Sequence, residues 1–499
     1  MRTAVFVLLM FVGFANATQA QKENNVWVGG DYVGLDFNSG SPALLERPAG
    51  QNIWRTNAAI CDSDGHLLFY TNGYRVFNRN FQIMPNGDNL NIGDYVQWGY
   101  DELSVHDGAA IVPVPAHPGQ YYVFHEDLNF ADFDTFTSSQ LPTHLFSCVV
   151  DMALDNGNGA VVGGQKDLVM LSDTLVETGF KVIKHGNGRD YWLLCHEAGS
   201  DRFYRFLIDP AGIHGPYEQH TGAALTGFDA FFHDVMAINN DGSKLTQLRT
   251  LETEIDLYDF NRCTGELYNP RTFSVHDSAF YLMGAAFSPS GKYLYVTANY
   301  WDDLFQFDVT AADIAASRQL ISVFSGATNP FNTDYDHLAL APDGKIYVNT
   351  YGGNRSLHVI HQPDSAGLAC DFEENGLSVN PPGINWRSVP NVVNYSLGPL
   401  YGSGCDTLTS TKALPTAAFT LGVYPNPFSN ELQLSVGGLT TKAMVEITDV
   451  LGRTVYSNAF SPSGYSIHRG VDVSLLSSGV YVLTLTANNE RLVRKVVKK

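Results

Sequence analysis

Four times along the chain a histidine stands beside an aspartate: His106-Asp107, His233-Asp234, His276-Asp277 and Asp336-His337. Imidazole and carboxylate together can ligate a divalent cation or pass a proton near neutral pH, so these pairs are the residues best suited to chemistry. His185 lies near a fifth position of the same kind, with Trp192 and His196 shortly after it. No nucleophile elbow, phosphate-binding loop or zinc-protease motif accompanies them. No cofactor is expected beyond a divalent cation, and Asp62-Ser63-Asp64-Gly65, which opens like a calcium loop, lacks the ligands that should follow.

The elements that must position these pairs form a repeat. Six segments share one pattern of apolar strand, tight turn and aromatic-rich strand: from Ala58, Ala109, Lys181, Asp234, Gly284 and His337. Several continue into a third strand, as RFYRFLID and DLFQFDV do. Units of three or four strands recurring every ~40–50 residues are the pattern of β-propeller blades, each unable to bury both faces until a ring closes. The Gly of Asn240-Asp241-Gly242, Ser290-Gly291 and Asp343-Gly344 supplies the left-handed residue of a hairpin, and Asp62–Gly65 reads the same way. The fold expected is all-β: a β-propeller of seven blades, alternatively six, followed by a small β-sandwich. The seventh blade would join VWVGGDYVGLDF, from Val26, to a first strand in RSVPNVVNY, from Arg387.

In such a ring, residues just before each inner strand gather at one mouth. His106, Asp107, His185, His233, Asp234, Asp336 and His337 are therefore the candidate ligand-binding residues, with His276 and Asp277 somewhat before their strand. The alternative is that each pair orients one blade against the next, as His and Asp do in WD-repeat propellers. A second candidate surface is an irregular insertion carrying Trp98, Tyr100, Phe130, Phe133 and Phe136 beside Asp127, Asp132 and Asp134. Such a loop suits carbohydrate stacking, and a cap on the ring would have the same composition.

The last eighty or so residues are of a different kind. Pro425 and Pro427 hold Asn426 in an extended start to a sheet, and Asp449-Val450-Leu451-Gly452-Arg453 makes a hairpin turn. Leu432 and Leu434, Val445 and Ile447, then Val480, Val482, Leu483 and Leu485 supply strand patterns, with Gly452 and Gly479 at turns needing positive φ. The chain closes on Arg491, Arg494, Lys495, Lys498 and Lys499. In order and completeness these motifs resemble the type A C-terminal sorting domain of the type IX secretion system. That resemblance implies recognition of the basic tail by the export machinery and delivery to the cell surface or medium. The body, through GLDFNSGSP from Gly34 and ICDSDGHLLFYTNG from Ile60, resembles propeller-like ectodomains carried by proteins with this tail.

The other end agrees. Arg2 precedes the apolar run Ala4–Val12, and small residues stand at Ala15, Ala17 and Ala20, the pattern of a secretory signal peptide cut after Ala20 or Ala17. No later run is long enough for a transmembrane segment. The expected domains are a signal peptide at 1–20, the propeller at 21–404, a linker at 405–420 and the sorting domain at 421–499. A net charge of −21 argues against nucleic acid as a ligand, and from Gly422 onward basic residues outnumber acidic ones eight to five, so the acidity lies in the body. Six cysteines include no close pair for zinc. Export permits disulfides, and Cys370 with Cys405 is the expected bridge, with Cys61 and Cys195 as buried thiols. The partners expected are the secretion machinery and an extracellular glycan or surface protein. Three functions fit: a binding or adhesion module, an extracellular hydrolase or lyase using His and Asp, and a structural component of the surface or gliding apparatus.

Overall fold

The computed structural model describes residues 22–30, 32–48, 51, 53–99, 101–132, 138–177, 179–225, 235–275, 281–299, 303–350, 354–379, 386, 388–406, 420–424, 428–437, 442–449, 452–460, 466–487 and 490–499. The signal-peptide segment, His233-Asp234, His276-Asp277, Tyr100, Phe133, Asp134, Phe136 and Pro425-Asn426-Pro427 lie outside them. The chain divides into two compact units, one ending at Thr407 and the other beginning at Leu408.

The first unit is a ring of seven antiparallel sheets, taken up in chain order. Blade 1 holds Val26–Gly29, Val33–Asp36 and Ala43–Glu46; blade 2 holds Ala58–Cys61, Leu67–Thr71 and Val76–Asn78. Blade 3 pairs Ala109–Pro113, Gln120–Glu126 and His144–Asp151, with Ala160–Val161 and Leu168–Ser172 outermost. Blades 4 to 7 each have four strands in sequence order, with inner strands Lys181–Lys184, Met236–Ile238, Tyr281–Phe287 and Tyr335–Leu340.

What closes the ring is apolar packing between neighbouring sheets. One core joins blades 2, 3 and 4 through Phe69, Val123, Phe124 and Leu193. Others join blades 4 and 5 through Leu194 and Leu245, 5 and 6 through Leu257 and Val296, and 6 and 7 through Tyr295 and Val348. Trp27, Leu35 and Phe37 of blade 1 then pack on Tyr347 and Val359 of blade 7, and Val26 and Val28 on Tyr70 of blade 2. The two inner strands of each blade are largely buried on both faces, which accounts for near-continuous apolar runs such as Tyr191–His196, buried throughout, while outermost strands such as Gly212–His220 stay largely exposed.

One expectation is corrected. RSVPNVVNY is not a blade strand: residues 388–400 carry no strand pairing and run through the centre of the ring beside blade 1. Pro390 cannot donate to a ladder, and the asparagines bond across the axis instead. The Asn391 amide donates to the carbonyls of Asp107 (3.0 Å), Ala109 (3.2 Å) and Phe180 (3.1 Å), and Asn394 donates to Asn240 of blade 5. Tyr395 donates to the Ile111 carbonyl at 2.6 Å. Blade 1 is accordingly three-stranded and built from the N-terminal segment alone.

The disulfide is corrected too. Cys405 bonds Cys263, in the turn between the outer strands of blade 5, while Cys370 is a buried free thiol in blade 7. Once the threading segment has passed Arg262, which donates to the Gly398 carbonyl at 2.8 Å, it emerges beside that turn and not beside Cys370.

The second unit is a small β-sandwich. Thr420–Tyr424, Glu431–Gly437 and Ser466–Asp472 form one sheet; Thr454–Phe460, Ala443–Asp449, Gly479–Ala487 and Glu490–Lys498 form the other. Leu432, Leu434 and Val436 meet Val445, Ile447, Leu483 and Leu485 in its core. In the Gly479–Ala487 strand the inward set is Tyr481, Leu483, Leu485 and Ala487, so Val480 faces out and Val482 is half-buried. Gly452 has φ +79° at the hairpin, where Asp449 Oδ1 accepts from the Arg453 amide at 3.0 Å. Gly479 instead opens a strand without positive φ.

Candidate functional site at the mouth of the ring

A cavity of about 1220 Å³ lies on the ring axis, walled by six of the seven blades and by the threading segment. Four of the expected residues meet at one end of it. His106 and Asp107 sit just before the inner strand of blade 3, and Asp336 and His337 lie within that of blade 7. The imidazoles of His106 and His337 stack across the axis, with ring centroids 3.5 Å apart and planes 7° from parallel. Both are almost fully buried.

Asp107, Asp336 and His337 are each held by a partner on the same blade or the next. His337 Nδ1 donates to Asp336 Oδ1 at 3.0 Å, and Asp336 Oδ2 accepts from Asn349 Nδ2 at 3.0 Å. In the neutral ring that arrangement leaves His337 Nε2 as an acceptor, buried and without a hydrogen-bond partner among the described residues. Asp107 has φ +55° and accepts from Lys181 Nζ at 2.7 Å, joining blades 3 and 4. Lys181 also donates to Asn391 Oδ1 at 3.2 Å, so the mouth is tied to the threading segment. Gly179 permits this approach: a Cβ there would stand 2.5 Å from the Asp107 carbonyl oxygen.

His185 is not part of this group. It follows the inner strand of blade 4 at the opposite end, donating through Nε2 to the Cys263 carbonyl at 3.0 Å and accepting the Asn187 amide at Nδ1. Burial holds it below the usual imidazole range. It is therefore neutral, with both nitrogens engaged beside the disulfide turn.

In the insertion, Asp127 has a structural role. Asp127 is buried and accepts from the amides of Thr143 (2.7 Å) and His144 (2.9 Å), tying together the hairpin of Asn129–Asp132 and Ser138–Leu141. Its carboxylate is spent on the fold.

Lys181, Asn349 and Asn391 escaped the sequence reading. A lysine opening the apolar run KVIK was the available signal for the first. Nothing local marks the other two: Asn349 bonds to the neighbouring strand of its own blade, and the partners of Asn391 lie on blades 3 and 4.

His196, on the second strand of blade 4, stacks on Phe203 at 4.1 Å and is pushed down to about 3 by burial; His358 in blade 7 is lowered to about 4 for the same reason. A histidine depressed in the folded state contributes stability above its unfolded value near 6.5, and that stability is lost as pH falls below it. Between pH 7 and 5 each ring is expected to cost about 2 kcal/mol. Urea unfolding at the two pH values should show the loss, and His196→Gln should reduce it; an identical pH slope in the variant would refute the assignment.

Comparison with known proteins agrees with this division of the chain. Residues 422–499 match the family model described as a secretion system C-terminal sorting domain, Por_Secre_tail. The chain is thus cargo of the type IX route, exported to the cell surface or the extracellular space. No helix among the described residues is long and apolar enough to cross a membrane. The whole chain matches no curated protein. Among solved structures, the periplasmic gluconolactonase PpgL of Pseudomonas aeruginosa is similar at 13% identity and TM-score 0.45, covering 73% of this chain and 99% of its own. The β-propeller domain of Swd1 from Myceliophteria thermophila is similar at 10% identity and TM-score 0.35, covering 66% and 91%.

Proposed function

We propose that this protein is an exported binding module whose propeller recognises an extracellular ligand, with a polysaccharide favoured over a protein. The observation that carries this reading is the axial cavity ending at the unspent Nε2 of His337. Its walls are partly polar, with Asn25, Asn38, Asn239 and Asn394 along them. Amide side chains that both donate and accept, set in a concave site, suit the dense hydroxyls of a sugar.

The Asp336–His337 pair also supports a second reading. A carboxylate on Nδ1 and a free Nε2 is the arrangement of a general base, which favours a polymer-acting hydrolase or lyase. Calorimetric titration of the secreted protein against a polysaccharide panel tests both, with product release assayed alongside. Binding is expected to weaken about tenfold in His337→Gln, the loss of one hydrogen bond of about 1.4 kcal/mol. Turnover abolished in that variant would select the second reading. Unchanged binding without turnover would remove the mouth from consideration.

A further inference from the structure

The outer part of blade 3 holds a second cluster, unrelated to the axial cavity. His125 stands on the strand Gln120–Glu126 and Cys148 on its neighbour His144–Asp151. In that ladder Phe146 pairs with His125 and Cys148 with Val123, so His125 and Cys148 are diagonal neighbours on one face. Asp167 reaches the same point from the turn before Leu168–Ser172. His125 Nε2 lies 3.0 Å from Asp167 Oδ1 and 3.8 Å from Cys148 Sγ, and Sγ lies 3.6 Å from Asp167 Oδ1. His125 and Cys148 are fully buried, and the Asp167 side chain is 22% exposed.

We propose that His125, Cys148 and Asp167 are three protein ligands of a tetrahedral zinc ion, with the fourth position open to water beside Asp167. For Zn–S, Zn–N and Zn–O bonds of about 2.3, 2.0 and 2.0 Å at tetrahedral angles, the ligand atoms stand about 3.3–3.6 Å apart. The three observed separations bracket that range. Sulfur and nitrogen also approach each other directly, so all three atoms lie within reach of a single ion.

The surrounding contacts are those a zinc site needs. His125 Nδ1 lies 3.3 Å from the Glu126 carbonyl, which fixes the proton there and leaves the Nε2 lone pair for metal. The Asp167 amide donates to Cys148 Sγ at 3.2 Å, as amides do to thiolates. Asp167 itself is held at φ +51°, an uncommon conformation for a non-glycine residue. Lys166 anchors the turn by donating to the Asp88 carbonyl at 2.6 Å. Thiolate and carboxylate together carry two negative charges, so a divalent cation makes the buried group neutral. Zinc accepts this mixed sulfur, nitrogen and oxygen set. Three protein ligands with an open fourth position are the arrangement by which zinc activates bound water.

The stacked His106–His337 pair with Asp336 is a poorer candidate: a metal binds in the plane of an imidazole, and two parallel rings cannot share one ion without turning.

The test uses the full-length secreted protein, stripped with chelator and reloaded with cobalt(II) as the probe. One cobalt per chain is expected, with strong visible bands and near-ultraviolet thiolate-to-cobalt absorption. Cys148→Ala should abolish that absorption and weaken metal binding by more than about 100-fold, beyond the range for an outer-shell partner. Because Cys148→Ala opens a cavity in a buried sheet, X-ray absorption of the zinc-loaded wild type supplies a variant-free measurement. One sulfur with nitrogen and oxygen neighbours is expected there. A chain that retains no metal, a cobalt spectrum lacking the thiolate band, or a band that survives Cys148→Ala would each overturn the assignment.

Discussion

Removing residues 422–499 is expected to reduce the protein outside the cell to background while the body accumulates inside the envelope. The matched segment lies in a separate compact unit with its own core of Phe428, Leu432, Ile447, Leu483 and Val496, so the body is expected to fold without it. Immunoblots of medium, surface and periplasm would measure this, with protease resistance of the retained body reporting its fold. Undiminished release of the truncated chain would refute export through this domain. Within the tail, the basic residues are expected to act differently. Lys498 turns inward and donates to the carbonyls of Ser429 (2.6 Å), Val473 (2.8 Å) and Ser474 (3.3 Å). Arg494, Lys495 and Lys499 are exposed, and Arg491 lies on the same final strand. Recognition by charge is therefore proposed for the exposed set, while Lys498 locks the sandwich; a buried cation on three carbonyls cannot also face a partner.

Replacing Cys263 and Cys405 together is expected to destabilise the propeller by about 5 kcal/mol, from the unfolded-chain entropy released when a loop of this length opens. The bond spans 142 residues and secures the far end of the segment threaded through the ring. Denaturant midpoints of wild type with and without reductant, and of the double variant, measure the effect. Cys370→Ser leaves the covalent structure intact and should behave like an ordinary core substitution. Peptide mapping that found Cys370 joined to Cys405, or a double variant as stable as wild type, would reject this pairing.

Much of the architecture could be read before folding was considered. The turn-separated apolar strands from Ala58 to His337 encode sheets whose inner strands are buried on both faces, a requirement that a closed ring of such units meets. The tail motifs encode a separate sandwich. Inner-strand position likewise placed His106, Asp107, Asp336 and His337 at one mouth, because distance along each repeat maps onto height in the ring. The same logic misplaced His185, which follows its strand and so lies at the other end. It also took RSVPNVVNY for a strand, since alternating apolar residues suit a channel-threading segment as well as a ladder.

What only the tertiary structure decided are contacts between residues far apart in sequence. Cys405 faces Cys263 because the threading segment leaves the channel at blade 5. His106 meets His337 because ring curvature sets blade 3 opposite blade 7. His125, Cys148 and Asp167 converge because strand register and one left-handed turn aim three unremarkable positions at a point. Local patterning encodes which face of a strand is buried; it carries no record of which distant strand will cover it.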